Sequence, residues 1–135
     1  MPISMATAVR RALGNIVRFG DTDVFPFPFE RYVFDDRLDE CCQLLVERDK
    51  NFLEHLGNHP PTTIETLTQV GYTGFRRATQ IEPFWNAYYL ALVLSIAEEI
   101  EAYRIPKARN IIFSYRYDWC EERQSIFESS NWMTY

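Results

Sequence analysis

Three groups of residues carry side chains suited to chemistry, and their spacing decides how far each goes. Asp35-Asp36, close to Tyr32, is a paired carboxylate of the kind that holds two catalytic metal ions. In Tyr32-Val33-Phe34-Asp35-Asp36, however, Val33 stands where a Tyr-x-Asp-Asp turn would need its tyrosine. The simpler expectation is that Asp35 or Asp36 caps the following helix, with Asp39 and Glu40 near its positive end. Cys41-Cys42, with His55 and His59 beyond, offers thiolates and imidazoles for zinc, but no Cys-x-x-Cys pair supports a site. Adjacent helical side chains point about 100° apart, so the pair reads as buried thiols. Arg76-Arg77 is the third group. Guanidinium forks suit phosphates, and they suit equally the carboxylates of the acidic 35–54 region.

No nucleophile–base pair completes a catalytic set. There is no G-x-S-x-G, and GYTGFR has the wrong spacing for either nucleotide-binding glycine loop. Glu98, Glu99 and Glu101 close a helix whose dipole disfavours them, which marks either a basic partner or, the expected case, a solvated end. The residues thus predict no catalytic side chain and no metal site.

Charge narrows the partners. The net charge is −5 over 135 residues, whereas a freestanding nucleic-acid binder usually carries an overall basic footprint. Any contact with nucleic acid would be local, around Arg76, Arg77, Arg104, Lys107, Arg109 and Arg116. Three cysteines and a start, MPISMATAVRRALG, without an apolar core predict a cytoplasmic protein. No segment is long and apolar enough to predict a membrane partner.

The positioning elements follow from caps, breaks and periodicity. Residues 4–18 predict an amphipathic helix, with Ser4 as N-cap, Met5, Val9, Leu13 and Ile16 inward, and Gly20 as the stop. Residues 20–34 alternate prolines with phenylalanines and predict an extended strap anchored by Phe25, Phe27 and Phe29; a proline-rich ligand for an aromatic groove is the other reading. Residues 36–56 predict one helix ending at Gly57, with a stripe of Leu38, Cys41, Leu45, Phe52 and Leu56. After Pro60-Pro61, Thr62 or Thr63 is expected to cap a short helix through Leu67. Pro83 opens and Pro106 closes the most apolar helix, 83–104, which is expected to be buried all round, Leu92 included. Residues 111–128 predict a β-hairpin rich in β-branched and aromatic residues. The chain should be one mainly α domain of three to four helices around helix 83–104, with a C-terminal hairpin: α+β overall.

Four stretches in this order, GDTDVFPFPFE (20–30), VGYTGFRRATQIEPFWNAYYLALVLSIAEEIEAYRIP (70–106), IIFSYRY (111–117) and NW (131–132), resemble the N-terminal region of bacterial RNA-directed DNA polymerases. These are reverse transcriptases related to retron and antiphage-defence enzymes. The resemblance implies a region preceding the fingers and palm, with Arg116 facing template or nucleotide and Arg76 and Arg77 as further RNA-binding candidates. It implies the polymerase body and template RNA as partners. The palm carries the catalytic aspartates and Mg2+, and no match to them occurs in this sequence, so this chain alone should not polymerise DNA. The unfinished aromatic ending is expected of a piece cut short of its partner. A freestanding interaction module, binding a protein through its aromatic surface, is the alternative.

Overall fold

Helix caps set where the chain changes direction. In the computed structural model, which describes residues 3–20, 29–109, 111 and 115–127, the order is α1 (Met5–Phe19), α2 (Glu30–Asp36), α3 (Leu38–Lys50), α4 (Phe52–Asn58), β1 (Thr63–Val70), β2 (Gly74–Ile81) and α5 (Pro83–Tyr103). A single 3-10 turn (Lys107–Arg109), β3 (Tyr117–Cys120) and β4 (Ser125–Phe127) follow. The fold is α+β and mainly helical, with two separate antiparallel two-stranded sheets, β1-β2 and β3-β4, among the described residues.

The first helix forms as its sequence predicts. Ser4 Oγ accepts the Thr7 N–H at 3.1 Å, and Gly20, at φ 85°, donates its N–H to Ile16 O at 2.8 Å. Its inner face, Ala8, Val9, Ala12, Leu13 and Ile16, is out of water. The last helix begins at Pro83, and Glu82 caps it with both carboxylate oxygens, which accept from Phe84 N–H (3.3 Å) and Trp85 N–H (3.2 Å). Ala87, Tyr88, Ala91, Leu94 and Ala97 form its buried face. The pairing of α1 with α5 is the most extensive between helices. Phe34, Cys41, Cys42 and Leu45 from α2 and α3 join the same core, and Phe34 meets Phe84 edge to face with centroids 4.9 Å apart. Tyr88 Oη donates to Asp49 Oδ1 at 2.7 Å, tying α5 to α3. Burial and this hydrogen bond push the phenol well above its ordinary pKa.

Several expectations need correction. The segment after Pro60-Pro61 is not a capped short helix: Thr63–Val70 is a strand, paired residue for residue with Gly74–Ile81. Alternation in TIETLTQV outweighs the capping threonine, and Gly71, at φ 69°, supplies the left-handed turn. The strap 20–34 is not extended throughout, since α2 starts at Glu30; Phe29 is 76% exposed rather than a core anchor, while Phe25 and Phe27 lie outside the described residues. Helix 36–56 is two helices broken at Asn51, and Gly57 lies inside the second. Of its stripe, Cys41 and Leu45 are buried, but α4, which carries Phe52 and Leu56, buries no residue. Neither Asp35 nor Asp36 caps α3, whose N-cap, Arg37, makes no side-chain cap bond. Of the predicted hairpin 111–128, residues 112–114 and 128 lie outside the described residues, and Tyr117–Cys120 pairs antiparallel with Ser125–Phe127.

The largest correction concerns α5. It is not buried all round: Tyr89, Leu92, Val93, Ile96, Ile100 and Tyr103 are exposed. Its buried face is mostly alanine, which lets α1 approach closely, while the large apolar residues fall outside. Leu94→Ala should therefore cost about 2–5 kcal/mol, and Leu92→Ala no more than about 1 kcal/mol, in urea unfolding of the two variants. Equal costs at the two positions would restore the all-round burial of this helix.

Candidate functional site

The two segments flanking α5 hold the three arginines that the sequence singles out, and the structure treats them differently. Before α5, β1 and β2 pair Thr68 with Arg76 and Leu67 with Arg77. Residues directly opposite share a face, and successive residues alternate. Arg76 therefore lies with Ile64, Thr68 and Val70 on one face, and Arg77 with Leu67, Gln69 and Phe75 on the other. The adjacent arginines cannot fork one phosphate together. Arg77 Nη1 lies 3.7 Å from Glu65 Oε2, an exposed pair of little energetic weight. The expected partners in the 35–54 region are not those of Arg77. Ile64, Leu67, Val70 and Phe75 are more than half exposed, and Tyr72, at the tip, is fully so. The hairpin thus shows apolar and cationic groups to water on both faces.

After α5, Arg116 is drawn inward. Its Nε lies 3.0 Å from Glu101 Oε2, and its Nη1 donates to Ile105 O at 3.1 Å. Glu101 Oε1 also takes Arg104 Nη1 and the Tyr117 N–H (3.1 Å), and Arg104 Nη1 donates to Tyr115 O at 2.7 Å. One carboxylate thus ties the end of α5 to the strand leading into β3. Burial by itself raises the Glu101 carboxyl, but the Tyr117 N–H, the Arg104 hydrogen bond and both guanidinium charges outweigh it, leaving the pKa below the usual carboxylate range. Glu101 was not legible as a hub, because its role depends on Arg116, fifteen positions later. The i,i+3 pairing with Arg104 was the only local signal.

The C-terminal hairpin leans on α1 as well. Asn15 Nδ2 donates to Gln124 O at 2.8 Å, and Arg11 Nη1 to Tyr117 Oη at 3.0 Å, with the Arg11 guanidinium 5.1 Å from the Trp119 ring centre. A Cβ at Gly14 would meet Gln124 Oε1 at 2.1 Å, so the turn comes down onto α1 where a side chain is missing. Arg11 thus ties α1 to this hairpin.

A third group surrounds Trp85. His55 stacks on the indole at 5.3 Å, Phe52 and Tyr88 close the cluster, and Trp85 Nε1 donates to His59 O at 3.1 Å. His55 Nε2 is shielded without a hydrogen-bond partner among the described residues. Burial, then the charges of Arg48 and His59, hold its imidazole below the ordinary pKa. His55 therefore serves packing, and His59 contributes its backbone carbonyl. Cys41 and Cys42 are buried in the core, where desolvation raises both thiols.

Metal chemistry finds no donor set among the described residues, in which no three His, Cys, Asp or Glu side chains come together. Asp36 is engaged instead by Arg37 Nε at 3.0 Å. Among the described residues no set of carboxylates is gathered to hold a pair of Mg2+ ions. No helix among the described residues is long and apolar enough to cross a membrane. No family model, curated protein or solved structure matches the chain.

The Glu101 carboxylate makes acid sensitivity testable. Its lowered folded-state pKa contributes stability above the unfolded value, near 4.5, and that contribution disappears as pH falls through the folded value. Urea midpoints of the wild type should fall between about pH 5 and pH 3, and Glu101→Gln should flatten part of that fall. An identical acid profile in the variant would remove Glu101 from this role.

Proposed function

We propose that this chain is the N-terminal, non-catalytic part of a cytoplasmic RNA-directed DNA polymerase of the bacterial defence type. In this reading α5 is a structural post, and its flanks hold template RNA or the rest of the enzyme. One observation supports it most: the β1-β2 hairpin presents Tyr72, Phe75, Arg76 and Arg77 to solvent. An isolated two-stranded hairpin is marginal in water, so an exposed one with apolar faces suits a surface that another chain covers. Aromatic rings beside arginines also suit single-stranded RNA, since rings stack on bases and guanidinium groups meet phosphates. Because Arg76 and Arg77 point to opposite faces, they would engage separate groups. Arg116 would act at the start of the fingers. Its present contacts to Glu101 and Ile105 O leave it a positioning role there as well as a direct one. Mg2+ would belong to the palm of the longer enzyme.

The second reading, a freestanding module that binds a protein through its aromatic surface, is favoured by the net charge of −5 and by the apolar residues on both hairpin faces. Titration of a fluorescent single-stranded oligoribonucleotide at several salt concentrations separates the two. If RNA binds here, Arg76→Ala and Arg77→Ala should each weaken binding and lower the salt slope by roughly 0.7 for each phosphate no longer neutralised, and Arg116→Ala should weaken it too. Unchanged affinity and slope in all three would remove RNA holding. The gene should continue in frame beyond Tyr135 to a Tyr-x-Asp-Asp turn; a stop with no polymerase sequence nearby would leave the protein-binding module.

A further inference from the structure

The exposed apolar side of α5 is not explained by the flanks. Taking 100° per residue, Tyr89, Leu92, Val93, Ile96, Ile100 and Tyr103 fall within one stripe about 100° wide. Their exposures run from 37% at Leu92 to 93% at Tyr103. The stripe is about 21 Å long at 1.5 Å per residue. None of the six takes part in the core cluster, so the stripe does nothing for the fold described above.

Its order is self-matching. Ile96 lies at the centre, a tyrosine stands seven residues to either side, and an aliphatic residue, Leu92 or Ile100, four residues to either side. We infer that this stripe is the seam of a homodimer in which two α5 helices pack antiparallel about a two-fold axis at Ile96. A two-fold interface joins one patch to itself, so the patch must be complementary to its own reverse. Here Tyr89 comes level with the partner's Tyr103, Leu92 and Val93 with the partner's Glu99 and Ile100, and Ile96 with itself.

Charge selects the orientation. Glu99 is exposed at one edge of the stripe, and residues 83–97 carry no charge at all. Parallel helices would bring both Glu99 side chains to one level. Antiparallel helices set them about 9 Å apart along the axis, six residues at 1.5 Å each, beside the partner's uncharged half. Area is sufficient. Scaled by those exposures, and with a whole aromatic side chain offering about 150–250 Å², the stripe presents roughly 550 Å² per copy. A dimer that covered the whole stripe would remove roughly 1,100 Å² from water, close to the about 1,000 Å² a specific interface needs. The dimer is accordingly weak and concentration-dependent. It does not rest on the polymerase reading.

Two measurements on the full 135-residue chain test this. In sedimentation velocity the wild type should shift from monomer to dimer over roughly 1–100 µM. Ile96→Glu places two carboxylates on the axis of the dimer at a position exposed in the monomer. It should raise the dissociation constant at least about tenfold with an unchanged circular dichroism spectrum. For orientation, single cysteines are introduced at Tyr89, Ile96 and Tyr103 in a Cys120→Ser background and oxidised under native conditions. Ile96→Cys should cross-link to itself and the other two should not, while a mixture of Tyr89→Cys and Tyr103→Cys should form the mixed dimer. A monomer at every concentration overturns the proposal. Self-cross-linking at all three positions overturns the antiparallel seam.

Discussion

The close packing of α1 on α5 is the constraint from which the other contacts follow. Ala8 and Ala12 on one helix, and Ala87 and Ala91 on the other, are fully buried, so the backbones meet over small side chains. Val9, Leu13 and Ile16 of α1 and Leu94 of α5 complete the contact with larger groups. Once this pair is set, Phe34, Cys41, Cys42 and Leu45 have one place to go, the side of α1 left open. The arrangement also determines what stays outside. With alanines turned inward, the bulky aliphatic and tyrosine residues of α5 must face away from α1.

Local polar ties hold the remaining pieces to this pair. Glu82 caps α5 and also donates its backbone N–H to Thr62 O at 3.0 Å, which anchors the base of the first hairpin. Beyond that base, β1 and β2 contact mainly one another. The second hairpin is fastened more firmly, by Glu101 and Arg11 at Tyr117 and by Asn15 of α1 at the turn, where it meets Gln124 O. Arg31 Nε donates to Val17 O at 2.8 Å, joining α2 to the end of α1. One hairpin is thus part of the body and the other projects from it. That difference leaves the faces of the projecting hairpin, like the outer side of α5, open to solvent.

Much of this was legible from local signals. Ser4, Gly20 and Pro83 act at short range, so the ends of α1 and the start of α5 follow from the residues beside them. The burial of Cys41 and Cys42 likewise follows from helical geometry and the lack of a ligand pattern. What escaped depends on distant partners or on competing preferences. The β1-β2 hairpin lay behind a threonine that suits a helix cap as well as a strand. The break at Asn51 has no proline or glycine to announce it. The face of α5 could not be chosen by periodicity, since apolar residues occur on all sides; the alanine stripe at 87, 91 and 97 was the signal, and it gains meaning only opposite the alanines of α1. The candidate arginines were found as residue types, but their settings, Arg76 and Arg77 on opposite faces and Arg116 against Glu101, required the fold.

In this structure α1 and α5 form one cooperative unit from which the β1-β2 hairpin projects. Amide hydrogen exchange, resolved along the chain, tests it directly, because exchange from cooperative units reports their opening free energy. Residues 8–16 and 87–97 should be the slowest to exchange and should share one opening free energy, while residues 63–81 exchange much faster. Protection of the hairpin equal to that of α1, or exchange of α1 independent of α5, would show that the two helices are not one unit apart from the hairpin.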